Sequence, residues 1–196
     1  LIARTNFDIA QEVQCVKDAF EGLLAMLNGH AHYENEVLHQ LLKAKGSAVY
    51  AHVEATHEVY EHQLADLQQR LAKIMAATTK NEQIEQGYQF YLWFRKFAGD
   101  NLLHLHEEET VILPELQRLY SDEELSKVEF ASYNAMTPEQ LIEMMQVLFP
   151  HMNAADHEVF LTDIKACDPA KFAIAWQGIK SSLAPTEQAA LERKLA

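Results

Sequence analysis

The sequence predicts an all-α fold: an up-and-down bundle of long helices followed by a C-terminal layer of short ones. Three observations carry this reading. Six glycines and five prolines in 196 residues leave few chain-breakers, whereas many short strands joined by turns would need more. Through most of the first 120 positions, apolar residues recur at alternating spacings of three and four, the period of helices packed lengthwise. After Tyr120 the texture changes to short segments opened by capping residues.

Asp8, with Gln11 three residues on, reads as a capping box that opens the first helix. Its seam runs Val13, Val16, Phe20, Leu23, Leu27, His30, Glu34, Val37, Leu41 and Ala44, and Gly46-Ser47 closes it. A helix of ~37 residues spans about 55 Å, so bundle partners must cover it. The second helix presents Tyr50, Val53, His57, Tyr60, Leu64, Leu67, Leu71 and Ile74, and stops at Thr78-Thr79-Lys80-Asn81. The third presents Phe90, Phe94, Phe97, Asn101, His104, Glu108 and Val111, and fades near Tyr120 after Pro114. A fourth full-length helix is missing from residues 1–120. Short helices are then expected after Ser121 with Glu124, after Thr137-Pro138 with Gln140, after Asp168-Pro169 and near Pro185. The expected organisation is a bundle over 1–120 and an extension over 121–196 that packs on it without a second independent core.

Sixteen basic against 29 acidic residues give a net charge of −13. Such a surface repels nucleic acid and anionic lipid, so neither is an expected partner. No run approaches the ~18 apolar residues of a membrane span, and no secretory signal opens the chain. Cys15 and Cys167 have no CxxC spacing and build no disulfide framework. The expectation is a cytoplasmic protein, with a homodimer left open. The chain starts at Leu1 rather than Met, so an N-terminal segment is expected to have been processed or left out.

The polar residues in the seams carry the chemistry. Of ten histidines, six lie between His30 and His62, two are His104 and His106, and two are His151 and His157. His30 and Glu34 are four apart on one helix face, as are His104 and Glu108, and His57 occupies the corresponding position of the second helix. Burying an ionised carboxylate unpaired costs several kcal/mol, and no Lys or Arg lies in these seams. A metal cluster would neutralise both carboxylates and take the imidazoles as ligands; a buried hydrogen-bonded cluster without metal is the alternative. The H-x-x-x-E pattern recurs at His32/Glu36 and His57/Glu61, but only the first and last pairs keep the seam phase. Residues 30–42, HAHYENEVLHQLL, align without a gap on 104–116, HLHEEETVILPEL, matching at His, His, Glu, Val and Leu. THEVY at 56–60 is likewise echoed by DHEVF at 156–160. His32, His39, His52, His62 and His106 fall off the seams and are expected in solvent or behind the ligands. Glu36, Glu61 and Glu109 read as surface charge. Glu54-x-x-His57 and Glu36-x-x-His39 match a ferritin-type ligand pair formally, with their other members off the seam.

HAHYENEVLHQLL and HLHEEETVILPEL resemble the carboxylate-bearing motif of the hemerythrin-like (HHE cation-binding) domain, and ATHEVYEHQLADL resembles that family's lone-histidine motif. The resemblance covers about residues 8–120. It implies a four-helix bundle holding a non-haem di-iron centre, with His30, His57 and His104 as terminal ligands and Glu34 and Glu108 bridging two iron ions. Other divalent metals are also compatible. The family's first helix normally brings a further histidine, and none precedes Asp8 here. The missing ligand is expected from residues upstream of Leu1, with His157 the best internal candidate and water a third option. The implied function is binding or sensing of O2, NO or redox and iron state. A di-iron enzyme processing peroxide or NO and a metal-free helical interaction protein are the alternatives.

Overall fold

Helix α1 (Ala10–Tyr33) opens with Ile9 at its N-cap, which supplies no side-chain cap. The Asp8–Gln11 capping box is therefore not formed. Instead, Glu12 in the first turn accepts hydrogen bonds from the Asn6 backbone N–H at 2.7 Å and from its side-chain amide, an acidic group placed where the helix dipole favours one. The computed structural model describes residues 1–195, and all regular structure among them is helical. It divides into two compact units at Leu119–Tyr120.

In the first unit, α1 continues through a π turn (Glu34–Leu38) into α2 (His39–Ala44). Gly46, at φ +63°, then breaks the chain, because a left-handed residue there costs glycine least. Helix α3 (Tyr50–Ala76) returns. Helix α4 (Lys80–Glu107), opened by a full Thr79–Glu82 capping box, passes through a second π turn (Glu108–Ile112) into α5 (Leu113–Leu119). The three long helical runs bury a common core that includes Phe20, Leu27, Leu64, Leu67, Phe90 and Phe97, with Phe20 and Phe90 in edge-to-face contact at 5.5 Å.

Burial in α3 falls on Val53, His57, Tyr60, Leu64, Leu67, Leu71 and Ile74, so its seam is the one the spacing predicts. In α1 the buried set is Val13, Val16, Phe20, Leu24, Leu27 and Ala31. Leu24 and Ala31 replace the expected Leu23 and His30, because a straight helix drifts about 20° per heptad away from a strict 3.5-residue repeat.

The π turns displace the register further. In the first, the His39 N–H reaches the carbonyl of Glu34; in the second, the Leu113 N–H reaches that of Glu108. Each such turn inserts one residue into the helix and rotates the succeeding residues by about 100°. His39 and Leu42 are therefore buried where Val37 and Leu41 are expected, and Ile112 is buried where Val111 is expected. Side chains bond to backbone carbonyls near both insertions. Gln40 donates its side-chain amide to the Asn35 carbonyl at 2.9 Å, and the Thr110 hydroxyl donates to the His106 carbonyl at 2.7 Å. Pro114, which has no N–H to donate, comes directly after the first residue of α5.

The second unit contains α6 (Asp122–Ala135), α7 (Pro138–Leu148), α8 (Ala154–Cys167), α9 (Pro169–Ile179) and α10 (Pro185–Lys194). Ser121 and Thr137 form capping boxes with Glu124 and Gln140. Asn153 and Asp168 cap α8 and α9 through their side-chain oxygens. Phe149–His151 form a 3-10 turn between α7 and α8. Leu141, Met145, Phe149, Leu161, Ile164, Ala175, Trp176 and Ile179 bury one another as a cluster within this unit. The expectation that these helices lack a core of their own is thus corrected. Each helix is only three or four turns long, too short for its apolar positions to sustain a seam.

The N-terminal segment reaches the bundle through Phe7, whose ring lies over Gly87 of α4. A Cβ built at Gly87 would stand 2.1 Å from the Phe7 ring. Gly87→Ala should therefore destabilise the chain by about 1–3 kcal/mol through overpacking, against the ~1 kcal/mol that alanine gains over glycine in an open helix. In a Phe7→Ala background the same substitution should turn neutral or stabilising. Thermal unfolding of the four proteins checks the sign of that coupling.

Candidate metal centre

Three helical runs converge on one buried polar cluster. Glu34, at the start of the first π turn, is 4% exposed; His57 in mid-α3 and His104 in the last turn of α4 are buried. Glu108 opens the second π turn and is partly buried. His30, one turn before Glu34, stands at the edge with its side chain 41% exposed.

The ring nitrogen Nε2 of His57 is 3.6 Å from Glu34 Oε2, and that of His30 is 3.4 Å from the same oxygen. His30 Nε2 is 3.8 Å and His104 Nε2 is 2.9 Å from Glu108 Oε1. Two overlapping donor sets result, Glu34–His57–His104 and His30–Glu34–Glu108, each with its ligand atoms within 4.8 Å of one another. Glu34 belongs to both. All five residues the sequence singles out in the first unit are brought together.

Proximity here is not hydrogen bonding. Glu34 Oε2, Glu108 Oε1, both ring nitrogens of His57, and Nδ1 of His104 are buried without an aligned partner. The other buried, unpartnered side-chain atoms among the described residues are the Tyr60 hydroxyl and His39 Nδ1, and both stand against the same cluster. Tyr60 lies 5.7 Å from His104 ring to ring, and His39 lies 4.3 Å from His57. An unmade hydrogen bond in the interior costs on the order of 1–3 kcal/mol per group, so a concentration of them is retained only for some compensating partner. Lone pairs converging from imidazole and carboxylate suit a cation, and that donor set fits iron and related transition metals.

Electrostatics separates the two carboxylates. Burial pushes the Glu34 carboxyl up to about 7, against the pull of His30. Burial also pushes Glu108 up, but His104 and His30 beside it outweigh that and hold it down at about 2. The His57 imidazole is lowered to about 4, by burial first and by His39 and His104 next. His104 and His30 are raised, chiefly by the Glu108 carboxylate. Burial holds the Tyr60 phenol up at about 12, so it stays protonated. The cluster without a cation thus stores protons where a metal would replace them.

His32, His52, His62 and His106 are exposed, as are Glu36, Glu61 and Glu109. His39 departs from expectation: it is 1% exposed, because the π turn carries it five residues past Glu34 onto the same face. Its sequence signals are the formal Glu36-x-x-His39 match and a spacing of five from Glu34, which no α-helical template selects. His157 lies in the second unit, buried and stacked on Phe149 at 4.3 Å. Its Nδ1 meets Glu187 Oε1 at 2.6 Å and its Nε2 meets the Phe149 carbonyl at 2.9 Å, so both nitrogens are engaged within that unit. Among the described residues, no helix is long and apolar enough to cross a membrane.

Comparison with known proteins bears on the family of the first unit. F-box/LRR-repeat protein 5 of Danio rerio is 27% identical over 128 residues, which cover 65% of this chain and 18% of that protein. The chain therefore spans less than a fifth of that relative's length. No solved structure matches. A sequence model of the hemerythrin HHE cation-binding domain matches residues 4–116, a stretch that holds Glu34, Glu108 and the three histidines around them. By that match over more than half of its length, the chain belongs to the hemerythrin HHE cation-binding family.

Proposed function

We propose that the chain is a non-haem di-iron protein of hemerythrin type that binds or senses a small diatomic ligand such as O2 or NO, or the redox and iron state itself. The observation that carries this reading is the concentration of buried, unpartnered imidazole and carboxylate atoms in two overlapping donor sets that share Glu34. Glu34 and Glu108 would bridge two irons, with His30, His57 and His104 as terminal ligands. Iron held there would supply one-electron redox chemistry and a site for a small ligand. The protein's part is to position and to exclude water. Tyr60 stands against His57 and His104, with ring contacts of 6.3 and 5.7 Å, and Phe97 packs behind it at 5.4 Å, while the half-exposed His30 marks the side open to a small ligand.

Elemental analysis of the purified full chain should give close to two irons per chain. Glu34→Ala or Glu108→Ala should remove both, because each carboxylate serves both metals; loss of a single iron would refute the bridging assignment.

Affinity should depend on pH with a definite sign. Glu34, raised to about 7, must lose its proton to bind metal, and His30 and His104, both raised, must be neutral. Binding therefore releases protons. Apparent affinity should climb from pH 6 to pH 8, by up to about tenfold per unit for each proton released, as titration with ferrous iron under anaerobic conditions would measure.

His157→Ala should leave the iron content unchanged. It should lower stability by roughly 2–4 kcal/mol, since it removes two hydrogen bonds and a stacked ring from a core. Iron analysis and thermal unfolding of the same sample read the two effects apart.

A further inference from the structure

We propose that His39 is a further metal ligand of the centre, completing it on the side of His57 and His104. The proposal rests on the di-iron reading and extends it to a residue that lies off the helical seam. His39 is 1% exposed, and its Nδ1 is buried without a partner. The nearest carboxylate oxygen, Glu54 Oε1, is 3.9 Å away, beyond hydrogen-bond length. Its ring meets that of His57 edge-on at 4.3 Å, and His57 in turn stands 4.9 Å from His104. Three imidazoles from three helical segments thus adjoin, none bonded to another. A histidine retained in a core for packing alone would find a carbonyl or hydroxyl for this nitrogen.

The backbone is shaped to this end. Continuing α1 as an uninterrupted α-helix would carry Val37 and Leu41 inward and His39 outward. The π turn reverses this, and five-residue hydrogen bonding stacks His39 over Glu34. Single π turns of this kind concentrate at functional sites. In the companion segment the equivalent position is Leu113, which is exposed, so the first π turn delivers a ligand that the second does not. The resulting set is four imidazoles and two carboxylates.

Two measurements on the full chain test this. X-ray absorption of the iron-loaded, unmutated protein should count four imidazoles per pair of irons; a count of three overturns the proposal without any variant having to fold. His39→Leu should then bind ferrous iron about tenfold to a hundredfold more weakly, and the visible absorption of its cobalt(II) form should lose intensity and shift as a donor is lost. The metal-free variant should melt at or above the unmutated chain, because a buried unpartnered nitrogen has gone. A core role for His39 predicts the opposite pattern: a lower melting temperature without metal, with an unchanged cobalt spectrum and unchanged affinity. That pattern overturns this proposal and leaves the di-iron reading standing. An unmutated chain that takes up neither iron nor cobalt overturns both.

Discussion

Two carboxylates buried among imidazoles, with no lysine or arginine in reach, are the constraint around which the first unit is arranged. Glu34 is 4% exposed, and its neighbours are imidazoles; among the described residues it forms no ion pair with a lysine or arginine. Left to itself, such a group is a liability that costs several kcal/mol when ionised. The fold tolerates it because everything near it is organised for charge held in common. Glu108 takes the two imidazoles that favour its ionised form, and Glu34 is left to be neutralised by a proton or by something bound. The aromatic core below and the edge-standing His30 reflect the same need, one keeping water out and the other leaving a way in.

The two π turns answer this constraint at the level of the backbone. Each begins on one of the two glutamates, so the sequence repeat of residues 30–42 and 104–116 is also a repeat of local geometry. Leu42 and Leu116, the last matched pair, are both buried. A regular helix offers one inward position per turn, too sparse to crowd ligands at one level. The inserted residue instead brings His39, five positions after Glu34, onto the buried face, and Gln40 and Thr110 bond to carbonyls near the insertions.

How far the sequence reveals all this differs from helix to helix. The seam of α3 is legible residue by residue, since nothing interrupts its period. His30, Glu34, His57, His104 and Glu108 are legible for a related reason: polar residues stand out where leucine should be. The register beyond each glutamate is not legible. A π turn inserts a residue without changing composition, so Val37 and Val111 look as apolar and as well spaced as their buried neighbours. His39 falls off the expected face for that reason alone. The core of the second unit escapes a reading by period because helices of three or four turns do not sustain one long enough, although their caps at Ser121, Thr137, Asn153 and Asp168 are plain.

The unequal exposure of the two donor sets has a kinetic consequence. The set Glu34–His57–His104 is wholly buried, whereas the set His30–Glu34–Glu108 carries an edge that solvent reaches. Under the di-iron reading, the two ions are then not interchangeable. The one nearer His30 would exchange with chelators and small anions from bulk water without any opening of the bundle. Its neighbour, enclosed by Glu34, His57 and His104, would leave only when the bundle opens. Depletion would then be sequential, with a singly occupied form as its intermediate, and the lifetime of that form would be set by the breathing of the helices rather than by the strength of the metal–ligand bonds.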